Sequence, residues 1–140
     1  MWITNGGVAD VWIVFATIDA DNSLRAFIVD DDHSFSKSLQ RMLNCRGIFT
    51  YVFDSAQIFL DSVPSGQQGI AIVDVHMDVF DGFSLMNKMK TLGYSMPVIL
   101  ITGQTGPSTR DMAMDLGAAG FLQKPFLEKS LMTLIEKSQN

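Results

Sequence analysis

Acidic, hydroxyl and ammonium side chains follow short apolar runs at intervals along this chain. Gly69-Ile70-Ala71-Ile72-Val73 closes on Asp74, Phe27-Ile28-Val29 on Asp30-Asp31-Asp32, Val98-Ile99-Leu100-Ile101 on Thr102, and Phe121-Leu122-Gln123 on Lys124. Runs of this length read as buried strands. In an open parallel sheet, ligands bind just beyond the carboxyl ends of the strands. The four ends would bring carboxylates, a hydroxyl and an ammonium to one crevice. Carboxylates crowded there repel one another unless a cation neutralises them, and an all-oxygen site with room for water suits Mg²⁺ better than a soft metal. A carboxylate can also attack phosphorus to give an aspartyl phosphate if a metal and a nearby cation absorb the charge on the transferring group. Lys124 would supply a point charge and Thr102 a hydroxyl donor.

The elements that must position these residues alternate from Ala26 onward. A helical pattern carries Phe35, Leu39, Met42 and Leu43 and stops near Gly47; a strand is expected over Ile48 to Phe53. Asp54-Ser55 can cap a second helix with Ala56, Phe59, Leu60 and Val63 on one face, before the break at Pro64-Ser65-Gly66. The third helix is expected to bury Leu85, Met86, Met89 and Leu92; the fourth Met112, Ala113 and Leu116; and the fifth Leu127, Leu131, Leu134 and Ile135. Met114 and Met132 fall off those faces, and the methionines read as core filler rather than as ligands. Five strand-then-helix units predict a flavodoxin-like, doubly wound α/β fold: a (βα)5 parallel sheet with right-handed crossovers and strand order 2-1-3-4-5. That order places Asp30, Asp31 and Asp74 in one crevice, with Thr102 and Lys124 on its other side.

At 140 residues one domain is expected, at 26–140, after an N-terminal extension at 1–25. Val11-Trp12-Ile13-Val14-Phe15 reads as a strand that could add to the sheet edge; a partner-binding arm and a leader are the other readings. The net charge of −5 and pI near 4.7 argue against direct nucleic-acid binding. Val11 to Ala16 is too short for a membrane span. Cys45, the single cysteine, permits no internal disulfide and reads as a small buried hydrophobe in a cytoplasmic protein.

From Ala26 to about Lys137 the chain resembles the receiver domains of two-component response regulators. The resemblance rests on Val29-Asp30-Asp31, on Asp74 with Met77 three residues on, and on Asp81-Gly82, Pro97 to Thr102 and Lys124-Pro125-Phe126. It implies that Asp74 accepts phosphoryl from a histidine kinase or phosphotransfer protein, and that Asp30, Asp31, Asp74 and the backbone carbonyl of His76 hold Mg²⁺. It further implies that Thr102 and Lys124 contact the phosphoryl group, that Lys124-Pro125 is a cis peptide, and that Phe121 is a switching aromatic. Phosphorylation would then alter a surface of the fourth helix, fifth strand and fifth helix, where a target or a homodimer mate docks.

The resemblance also implies that the side chains of His76 and Gln104 flank the path of a water attacking the phosphoryl group; His33 is expected to be exposed in the first helical turn. Asp78 departs from the family pattern, which has Pro there; this bears on loop rigidity and not on the acceptor. A haloacid-dehalogenase type phosphatase would want Asp two residues after the nucleophile, where this chain has His76. A degenerate receiver serving only as an interaction module would not need the acidic pair, Asp74, Thr102 and Lys124, all of which are present.

Overall fold

The computed structural model describes residues 24–77, 81–103 and 107–138. The expected strand at Val11–Phe15, and residues Asp78 and Gln104, lie outside them. Five strands alternate with five helices: β1 (Arg25–Val29), α1 (His33–Cys45), β2 (Phe49–Phe53), α2 (Ala56–Ser62), β3 (Ile70–Asp74), α3 (Gly82–Leu92), β4 (Val98–Thr102), α4 (Pro107–Asp115), β5 (Gly120–Gln123) and α5 (Glu128–Ser138). The strands form one parallel sheet in the order β2-β1-β3-β4-β5. This is the flavodoxin-like fold expected from the alternation. Strand β1 opens at Arg25, one residue before the boundary drawn from sequence.

Because successive strand residues point to opposite faces, each strand feeds two cores. Phe27, Val29, Tyr51, Phe53, Ala71, Val73 and Leu100 pack with Phe59 of α2, Leu85, Met86 and Met89 of α3 and Ala113 of α4. Ala26, Ile28, Ile70, Ile72, Ile99 and Ile101 pack with Leu39 and Leu43 of α1 and Leu131 and Ile135 of α5. The inner strands β1, β3 and β4 are buried along their whole length and mostly apolar because helices cover both faces. Gly69 opens β3 at φ +147°, and a Cβ there would lie 2.7 Å from the Phe27 ring and 2.8 Å from the Arg25 carbonyl, so the strand can enter the sheet only through glycine.

Several assignments of side chains to the core are corrected. Cys45 is exposed; it ends α1 two residues past the buried Leu43, about 200° around the helix. Leu92 ends α3 and is 48% exposed, and Met112 is 51% exposed, one position off the face that Ala113 and Leu116 present. Leu127 is 73% exposed because it precedes α5, its carbonyl accepting from the Ser130 and Leu131 N–H groups. Met132, by contrast, packs partly buried against the α1/α5 core. No helix among the described residues is long and apolar enough to cross a membrane.

Candidate functional site

Strands β1 and β3 are hydrogen-bonded neighbours in a register that pairs Ile28 with Ile72 and Val29 with Val73. One step further on, Asp30 and Asp74 leave the sheet side by side, both buried, at 1% and 5% exposure, while Asp31 beside them is exposed. Oxygens of Asp30, Asp31 and Asp74 lie within 4.8 Å of one another. Lys124 reaches in from the end of β5, its Nζ donating to Asp30 Oδ2 at 3.0 Å and standing 3.7 Å from Asp74 Oδ2. The remaining oxygens are oriented by backbone: the Asp32 N–H donates to Asp30 Oδ1 at 2.9 Å and the His76 N–H to Asp74 Oδ1 at 3.3 Å.

Burial is the main reason that the Asp74 carboxyl is pushed up from its usual range to about 7, and the charge of Asp30 and a hydrogen bond with its carboxyl push the same way. The Lys124 ammonium and the His76 N–H oppose the shift without cancelling it. When all three carboxylates are ionised, one ammonium leaves two negative charges uncompensated. A divalent cation would balance them, and the grouped donors are hard carboxylate oxygens, the set that suits Mg²⁺.

Local sequence explains how this geometry is held. Asp32, the third of the acidic run, is the N-cap of α1 and accepts from the Phe35 N–H at 3.1 Å, so the helix starts directly after the two site residues. Ser36 on the buried face of α1 donates from Oγ to the Asp30 carbonyl at 3.5 Å. Asp81 caps α3 in the same manner, accepting from the Ser84 N–H at 2.8 Å. Gly82 then lets α3 approach the loop that follows Asp74: its N–H donates to the Val75 carbonyl at 2.9 Å, and an added Cβ would meet the Asp74 carbonyl oxygen at 2.7 Å and the Val75 Cα at 3.0 Å. The roles of Asp32 and Ser36 were missed from sequence. An Asp three residues before a helical N–H was a usable signal for the first, whereas nothing local marks a buried serine.

Thr102 ends β4 one residue beyond Ile101, the register partner of Asp74, and is buried. Its carbonyl accepts from the Lys124 N–H at 2.7 Å, which ties the hydroxyl-bearing strand to the lysine strand. The Lys124–Pro125 peptide is cis. By strand alternation Thr102 belongs to the α2–α4 face with Leu100, and Phe121 packs partly buried against that same core. His76 is exposed. His33 is also exposed, 3.4 Å from Asp54, and stands apart from the carboxylate group.

A model of the response regulator receiver domain matches residues 26–136. The transcriptional regulatory protein FixJ of Bradyrhizobium diazoefficiens is 36% identical over 112 residues, which cover 80% of this chain and 55% of FixJ. The response regulator protein TodT of Pseudomonas putida is 31% identical over 116 residues, covering 83% of this chain and 51% of TodT. Among solved structures, FixJ-N superposes with a TM-score of 0.77 at 31% identity, covering 83% of this chain and 93% of that one. The chain thus spans about half the length of the curated relatives it matches. On the family match and these relatives, the chain belongs to the response regulator receiver domains of two-component systems.

Proposed function

We propose that this receiver is a phosphorylatable switch in which Asp74 is the acceptor and Asp30, Asp31, Asp74 and the His76 carbonyl hold Mg²⁺. The observation that carries this reading is the Lys124 ammonium between Asp30 and Asp74, 3.0 and 3.7 Å from their oxygens, beside a third carboxylate. An Asp74 oxygen attacks the phosphorus of a phosphohistidine on a histidine kinase or phosphotransfer protein. The P–N bond breaks, its electron pair stays on the imidazole, and an acyl phosphate forms on Asp74. Mg²⁺ at this site would neutralise the carboxylates and draw charge from the phosphoryl oxygens. The Lys124 ammonium, freed from its hold on Asp74, pairs with the incoming phosphoryl group, and the Thr102 hydroxyl donates to it. The catalysis is confined to the domain's own modification.

The same reading supplies an output. Thr102 moving toward Asp74 vacates volume on the α2–α4 face, and Phe121 turns further inward to fill it. The affected surface is α4, β5 and α5, where exposed Met112, Met114 and Leu127 offer adaptable apolar contacts to a target or a second copy. The names of the similar proteins favour a transcriptional output, with the acidic receiver itself making no nucleic-acid contact.

Acetyl phosphate tests the reading. Intact mass should show one phosphoryl group gained with Mg²⁺, and none with excess chelator or in Asp74→Asn. The double variant Asp30→Ala, Asp31→Ala should bind Mg²⁺ at least tenfold more weakly in a titration. A phosphoryl group that persists in Asp74→Asn, or unchanged affinity in the double variant, contradicts the assignment.

A further inference from the structure

The Lys124 side chain carries an interaction that neither the acidic site nor the family resemblance explains. Its Nζ lies 4.1 Å from the centroid of the Phe35 ring, over the ring face. That distance is well inside the range at which the negative face of an aromatic ring attracts an ammonium. Phe35 is in turn held from two directions. Its backbone N–H donates to the N-cap carboxylate of Asp32 at 3.1 Å. Its ring meets Phe126 edge-on, with centroids 6.0 Å apart and planes at 81°. Both rings are partly buried against the α1/α5 core.

The ammonium therefore has three neighbours of known direction: Asp30 at 3.0 Å, Asp74 at 3.7 Å and the ring face at 4.1 Å. A lysine stem is flexible and its ammonium is a strongly hydrated point charge, so carboxylates alone leave it many rotamers leading toward water. The Lys124 side chain is only 21% exposed. A ring on one flank blocks the exits that the carboxylates leave open, and it attracts the charge without a hydrogen bond that would compete for the donors. Those donors stay directed at Asp30 and Asp74.

We propose that Phe35, braced by Phe126, is a positioning residue that holds the Lys124 ammonium at the two carboxylates, keeping it preorganised for a phosphoryl group at Asp74. The consequence for rate rests on the reading of Asp74 as the acceptor; the placement of Lys124 does not. A cation on a flexible stem that loses this support spends less time in the productive rotamer, so the loss should appear in the phosphorylation rate rather than in Mg²⁺ affinity.

The test uses the full chain with Phe35→Leu, which keeps an apolar side chain, and Phe35→Tyr, which keeps the ring face. The first readout is proton NMR of the Lys124 Cε methylene, which the ring should shift upfield in the parent and in Phe35→Tyr, and which should return toward its ordinary position in Phe35→Leu. The second is the rate of phosphorylation by acetyl phosphate at saturating Mg²⁺. Phe35→Leu should be slower by about fivefold, with Phe35→Tyr near the parent and Mg²⁺ affinity within about twofold in both. An unshifted Lys124 methylene in the parent overturns the proposal. So does a Phe35→Leu rate equal to the parent's, or a Phe35→Tyr rate as low as that of Phe35→Leu. A parent that accepts no phosphoryl group at all sinks the acceptor reading and the effect on rate, while the methylene shift still decides whether the ring holds the lysine.

Discussion

Asp74 occupies a position where its charge is costly. The buried carboxyl beside Asp30 has its pKa raised from 3.8 to about 7. A raised folded-state pKa means that the neutral form is favoured by folding. The associated stability is therefore fully present below about pH 4 and is lost as pH rises through 7. The full shift corresponds to roughly 4 kcal/mol, and half of that would remain easily measurable. Chemical denaturation of metal-free protein should thus show stability falling between pH 4 and 8 by on the order of 2–4 kcal/mol more in the parent than in Asp74→Asn. Mg²⁺ should restore the parent at pH 8 and leave the variant nearly unmoved. Parallel pH curves for the two proteins would show that Asp74 is not strained by burial. Asp74 and Asp30 were legible in the chain because each directly follows an apolar run, and Lys124 because it follows one with only Gln123 between. The ring beneath Lys124 was not, because four strands and three helices separate α1, which carries Phe35, from Lys124, and only the fold brings them together.

At the scale of elements, the order of strands and helices was legible because the inner strands β1, β3 and β4 are buried along their whole length and read as nearly unbroken apolar runs. Helical faces were legible where the periodicity had a sheet beneath it, as at Leu39 and Leu43 or Ala56 and Phe59, whereas Val63, counted on that second face, is the extended C-cap of α2. The pattern failed at helix ends: Cys45, Leu92 and Leu127 continue an apolar count past the point where the sheet still covers them. Gly82 belongs to the same scale, since it decides how closely α3 meets the loop after Asp74. An alanine would gain some helix propensity but would press its Cβ onto backbone atoms at 2.7 and 3.0 Å, which cannot rotate away. Overpacking of that kind costs about 1–3 kcal/mol, more than the gain of at most about 1 kcal/mol from replacing glycine in a helix. Gly82→Ala should lower the urea midpoint at constant slope and slow phosphorylation of Asp74. A variant more stable than the parent would show that the approach of α3 is not tight.

For the whole molecule, the sheet separates two cores, and the site residues divide between them. Asp30 and Asp74 follow the alternation of the α1/α5 face, whereas Thr102 and Phe121 follow that of the α2–α4 face. On the proposed reading, a phosphoryl group at Asp74 would signal to the far face through Thr102. Deeper burial of the Phe121 ring would contribute up to roughly 1.5–3 kcal/mol, enough to bias a two-state element by one to two orders of magnitude. Fluorine-labelled Phe121 should therefore shift its resonance on addition of a stable phosphoryl mimic. A single unmoved resonance, in a protein that still gains affinity for a partner, would rule out the aromatic switch.

All of these consequences depend on where the phosphoryl group is carried, which borohydride reduction reads directly. An acyl phosphate on an aspartate is reduced to homoserine, whereas phosphoserine, phosphothreonine and unmodified carboxylates are not. After treatment with acetyl phosphate and Mg²⁺, peptide sequencing by mass spectrometry is expected to place homoserine at position 74 alone. Homoserine at position 30 or 31, or a stable phosphoryl group with no homoserine at position 74, would contradict the assignment of Asp74 as the acceptor.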